Sequence, residues 1–166
     1  MSRPLLLAHL AGIAVHLGAT VLLAIAAPLL AAGDRPANER RRSLLPLFRA
    51  YSPLAVGALG VALMTGAWGL TPYKQALGAN YFAQVGYALA GKLSLAFLVI
   101  LFGVYLTMGL CLRTVREDEA EIPIEAAVLD GRIRRLTFGA WLVVALTLWT
   151  IWVAIGMGTP ALPPPA

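Results

Sequence analysis

Charged side chains are scarce in this chain and unevenly placed. Only 13% of its 166 residues are Asp, Glu, Lys or Arg, against roughly 25% in an ordinary soluble domain. Four long stretches carry none: Pro4 to Gly33, Ala50 to Tyr73, Leu93 to Leu112, and Leu136 to the C-terminus. All eight acidic residues lie outside them, so paired carboxylates are missing from the apolar runs. Glycine-rich phosphate loops and nucleophile elbows are missing too, which excludes hydrolytic chemistry of the soluble kind. A single cysteine, Cys111, excludes an intramolecular disulfide framework and any cluster held by cysteines alone. Strict alternation of apolar and polar residues is absent, and Ala, Leu and Gly outnumber β-branched residues, which argues against a β-barrel.

What remains is apolar: 60% hydrophobic residues and a mean hydropathy of +0.79. Each uncharged run is near or above the roughly 20 residues that cross ~30 Å of hydrocarbon as a helix. The expected fold is all-α, a polytopic membrane four-helix bundle. It forms one domain over residues 1–166, with helices at about 5–32, 53–70, 84–112 and 136–157. The first run is about twice as long as the h-region of a signal peptide, so it reads as a span.

The pI near 9.9 reflects topology rather than nucleic-acid binding. Arg35, Arg40, Arg41, Arg42 and Arg49 lie in the first connection, and Arg113, Arg116, Arg132, Arg134 and Arg135 lie in or beside the third. Arg3, Lys74 and Lys92 are left for the other side. The positive-inside rule then places both termini outward and the charged loops in the cytoplasm. A bacterial inner membrane is the expected location, with the lipid bilayer as partner and a homo-oligomer or larger membrane complex as the expected assembly.

Between the spans, Asp34 to Ser52 joins three consecutive arginines to Leu44, Leu45, Leu47 and Phe48, the pattern of a short interfacial piece. Helix two carries Ala58, Ala62 and Gly66 at four-residue spacing, which lets a neighbouring backbone approach. Helix three is expected to continue beyond Leu112, with Arg113 and Glu117 at i, i+4 spacing. Pro123 to Leu129 reads as a short helix closed by a turn at Asp130-Gly131, and the proline-rich tail Pro160–Ala166 as extended chain.

The reactive inventory of the spans is short. His9 and His16 are the only histidines; seven residues apart, they fall within about 20° on one helix face and about 10 Å apart along the axis. Lys92 lies near the outer end of helix three, where it either snorkels to the headgroups or faces the bundle. Met64, Met108 and Met157 add thioethers. This set suits a metal or a macrocycle: haem b with His9 and Lys92 or a methionine as ligands, or copper held by His9, His16 and Met64. Against it stands a bland reading, in which both histidines are neutral and hydrogen-bonded between helices.

The stretch HLAGIAVHLG from His9 to Gly18, SPLAVG from Ser52 to Gly57, Thr65-Gly66, and GYALAGKLSL from Gly86 to Leu95 together resemble the copper-resistance D (CopD) domain family. More weakly, the chain is similar to HemJ-type protoporphyrinogen oxidases, in which a first-helix histidine and a third-helix lysine are implicated in haem binding. That resemblance implies cofactor-binding roles for His9 and Lys92, with His16 nearby. The function expected is copper handling or membrane electron transfer through copper or haem b near the outer leaflet, a binding role rather than an enzymatic one. Porphyrinogen oxidation, or service as a non-catalytic accessory subunit, are the alternatives.

Overall fold

A computed structural model describes residues 2–156, and every element in that range is helical. Met157 and the tail Pro160–Ala166 lie outside the described residues. Helix α1 (Arg3–Leu30) enters with Pro4 in its first turn, where a missing N–H costs nothing. It passes through Pro28 and gives way to Gly33, whose φ of 103° reverses the chain. Helix α2 (Ala37–Gly69) follows, and a short α3 (Thr71–Leu77) with a 3₁₀ turn (Gly78–Asn80) leads into α4 (Tyr81–Val104). The helix then widens into a π segment (Tyr105–Leu112) and resumes as α5 (Arg113–Glu119), where Arg113 Nε donates to Glu117 at 2.7 Å. Glu121 at φ 53° turns the chain toward α6 (Ala126–Gly156).

Two boundaries differ from the sequence expectation. The piece from Asp34 to Ser52 is not separate from helix two: α2 is one helix of 33 residues with Pro46 and Pro53 inside it. A proline leaves the carbonyl four residues earlier without its partner, and neighbouring helices make that tolerable in a membrane setting. The Asp130-Gly131 turn is likewise absent, since α6 starts at Ala126 and runs straight through it. Ion pairs on either side hold that stretch helical: Asp130 with Arg40, and Arg132 with Glu117 at 2.7 Å.

Helix α1 packs antiparallel on α2 and also against α6, and α6 packs against α4. At the end bearing the charged loops, the π segment and α5 close the ring by packing on α2. The core lies at that end: Leu23 and Ala27 of α1, Leu44 and Phe48 of α2, Leu106 and Cys111 of the π segment, and Leu136 and Val143 of α6 are all buried. Toward the other end α4 diverges, having no comparable interface with α1 or α2. Tyr87 and Phe82 are 97% and 72% exposed there.

Three helical stretches are long and apolar enough to cross a membrane: 3–30, 37–119 and 126–155. Only 28–33% of the residues in their most apolar windows are buried within the protein, so most of the apolar surface faces outward. Lipid solvates such a surface, whereas water does not. The middle stretch doubles back on itself, since Arg41 near its start pairs with Asp118 near its end at 2.8 Å.

Candidate functional site

Both histidines lie where α1 meets α2. The small-residue stripe on α2 is the seat of α1: a Cβ on Gly12 would stand 2.9 Å from the Ala58 carbonyl oxygen, and one on Gly66 would stand 3.0 Å from Cε1 of His9. Bulkier residues at Gly12 or Gly66 would hold the helices too far apart for the imidazoles to reach the opposite backbone.

They do reach it. His9 Nδ1 lies 2.8 Å from the Ala62 carbonyl oxygen and 3.1 Å from Thr65 Oγ1. His16 Nδ1 lies 3.2 Å from the Ala55 carbonyl oxygen. A carbonyl only accepts, so Nδ1 carries a proton in both rings; whenever the imidazole is neutral, its lone pair sits on Nε2. Thr65 is held in turn by donating to the Val61 carbonyl at 2.6 Å. Seven residues from His9 to His16 are matched by seven from Ala62 to Ala55, so one antiparallel register sets both contacts.

The two sites differ in enclosure. His9 is half-buried, whereas His16 is 2% exposed and its Nε2 is buried without a partner among the described residues. One turn further, Thr20 donates to the His16 carbonyl at 2.8 Å. The buried hydroxyl of Tyr51 lies beside Thr20 and Cys111, with no hydrogen-bond partner in good geometry among the described residues. Sequence reasoning missed Tyr51, because Tyr51 comes from the part of α2 read as interfacial.

The other expected ligands are not gathered here. Lys92 is half-buried on α4 and makes no hydrogen bond or ion pair to a described residue. The polar contacts of both imidazoles are with α2, and α4 has no comparable interface with α1. Met64 is 57% exposed, two residues from Ala62 and so on a different side of α2 from the His9 contact.

This donor set can be tested against the expected cofactors. A Nδ1–H bonded to a main-chain carbonyl is the arrangement that fixes the tautomer and orientation of metal-ligating histidines, leaving Nε2 for the metal. Among the described residues no three His, Cys, Asp or Glu side chains come together, so a metal ion caged by such side chains is not provided for. A haem brings its own equatorial nitrogens and needs only axial ligands. Of the two imidazoles His9 is the more exposed, and Nε2 of His16 is buried. Comparison with family models, curated proteins and solved structures finds no match to this chain.

Proposed function

We propose that this chain is a four-pass inner-membrane protein, with both termini outward and its charged loops in the cytoplasm. It holds a metal centre, haem b in preference to copper, on the imidazoles of α1 and serves membrane electron transfer or copper handling in the manner of CopD-like proteins. One observation carries the reading: both imidazoles give Nδ1–H to backbone carbonyls of α2, which leaves Nε2 for a ligand at the half-buried His9, while that of His16 is buried. The half-buried His9 would hold the group, and Lys92, without a partner among the described residues, would reach it only by movement of α4 toward α1. The bound group would supply one-electron redox chemistry. The protein contributes a fixed imidazole tautomer, a rigid seat at Gly12 and Gly66, and an apolar surround. The doubling back of the 37–119 stretch supports four passes, and the arginines gathered at one end support the orientation.

The test is an absorption spectrum with metal analysis on full-length protein purified in detergent, beside His9→Ala, His16→Ala and Lys92→Ala. A Soret band lost in His9→Ala and shifted in Lys92→Ala is the expected result. Stoichiometric copper without a Soret band moves the reading to copper handling, and absence of both overturns it.

A second reading, an accessory subunit of a larger membrane complex, draws on the uncovered outer half of α4. There Phe82, Tyr87, Leu93 and Phe97 are all exposed. On that reading the histidines are interhelical ties, and their replacement leaves assembly intact.

A further inference from the structure

A groove of about 570 Å³ lies between the C-terminal end of α1 and the first half of α6, within the roughly 300–1,000 Å³ typical of small-ligand sites. Its character changes along its length. On α6 it is lined in order by Asp130, Ile133, Arg134, Thr137, Phe138 and Trp141, so charge comes first and aromatic side chains come last, over about 16 Å of helix. Pro28, Ala31 and Ala32 of α1 form the facing apolar wall, and Arg40 of α2 closes the charged end.

Guanidinium groups outnumber carboxylates at that end. Asp130 is the one acidic residue in the lining and pairs with Arg40, which also donates to the Ala31 carbonyl. Arg35 stands beside the groove, donating to the carbonyls of Leu30 and Ala32 at 3.0 and 3.3 Å. Arg134 is exposed and belongs to none of the ion pairs among the described residues.

Thr137 supplies an independent observation. Thr20, Thr107, Thr114, Thr147 and Thr150 each donate their hydroxyl to the carbonyl four residues earlier. The Thr137 hydroxyl is buried with no partner among the described residues, in the wall of this groove. It stands between the charged and the aromatic ends.

We propose that the groove binds one anionic phospholipid of the leaflet facing the charged loops. Its phosphate lies at Arg134 and Arg40, its ester region at Thr137, and one acyl chain runs past Pro28, Phe138 and Trp141. Basic pockets between spanning helices bind anionic headgroups in this way. A free phosphate would use the charged end and leave the apolar wall uncovered. A zwitterionic lipid would bring its own cation against the arginines. The proposal does not depend on the metal centre, which lies elsewhere on α1.

The experiment is native mass spectrometry of the full-length protein in neutral detergent, titrated with dioleoyl phosphatidylglycerol or dioleoyl phosphatidylcholine. One unpaired arginine at a membrane surface favours an anionic over a zwitterionic lipid by about fivefold, and a preference of that size is expected for the parent. Arg134→Gln and Ala32→Trp should abolish the preference, the first by removing charge and the second by filling the groove. Thr137→Val should weaken phosphatidylglycerol binding with no change of charge. Arg116→Gln, an exposed arginine of α5 outside the groove, should keep the parent preference. Equal binding of the two lipids overturns the proposal. So does an equal loss in Arg116→Gln and Arg134→Gln, which indicates diffuse attraction. Displacement of the lipid by glycerol phosphate at matched concentration assigns the site to a free phosphate and overturns it as well.

Discussion

Gly12 sits where a methyl group would meet backbone on the opposite helix, 2.9 Å from the Ala58 carbonyl oxygen and 3.0 Å from the Ala62 nitrogen. Backbone yields less readily than a side chain, so Gly12→Ala should destabilise the protein by about 1–3 kcal/mol. Gly18 has nothing among the described residues within 4 Å of the same position, and Gly18→Ala should lie within about 1 kcal/mol of the parent. Reversible unfolding in mixed micelles compares the two. Neither contrast was legible in the sequence, where both are glycines on one helix; the difference arises from which face α2 covers.

Glu117 is a second residue whose behaviour is set by its partners. Arg132 reaches it at 2.7 and 3.3 Å and Arg113 at 2.7 Å. The hydrogen bond from Arg132 is the main cause of a carboxyl held below its ordinary range, partial burial opposes it, and Arg113 adds to the lowering. A group whose folded value is depressed contributes stability above its unfolded value, and that contribution is lost as pH falls through the folded value. Acidification from pH 7 to below about 4, the ordinary range of a glutamate, should therefore lower the melting temperature of the parent. Glu117→Gln should show a smaller drop in the same detergent melts. An equal drop in both would show that other carboxylates carry the acid sensitivity.

At the scale of elements, α2 joins two environments in one helix. Its first half carries the arginines that clasp the other chain segments. Arg41 donates to Asp118 at 2.9 Å and to the Ile122 carbonyl at 2.7 Å, with its side chain 4% exposed and that of Asp118 16% exposed. Arg49 pairs with Glu119 at 2.9 Å, but both side chains are more than half exposed. Breaking a buried pair leaves an uncompensated charge and costs about 3–5 kcal/mol, whereas an exposed pair contributes about 0–1 kcal/mol. Arg41→Ala should thus be far more destabilising than Arg49→Ala in the same unfolding assay. The sequence marks both only as members of a basic run, the pattern of an interfacial segment, and does not distinguish the buried arginine from the exposed one. The continuity of α2 through Pro53 and of α6 through Asp130-Gly131 was hidden for the same reason. Local signals favour a break, and contacts with α5 and α2, distant in sequence, override them.

For the whole molecule, the proposed topology makes an accessibility prediction. Cys111 is buried, so the native thiol should give little background with a membrane-impermeant maleimide on intact cells. Ser2→Cys should label from outside, and Asn38→Cys only after the membrane is opened. The reverse pattern would invert the protein and transfer the arginine-rich end to the outer face. The sequence by itself determined that the chain is all-helical and apolar enough to cross a membrane, because transfer of side chains into hydrocarbon is a sum over local residues. It also singled out the two imidazoles, because ionisable groups are rare in such runs. Only the tertiary structure decided that both rings bond the backbone of α2, that Lys92 stands on a helix diverging from them, and that arginines and aromatics form one graded groove. Those relations depend on which helices meet and in what register, a property of partners tens of residues apart that no single run of the chain carries.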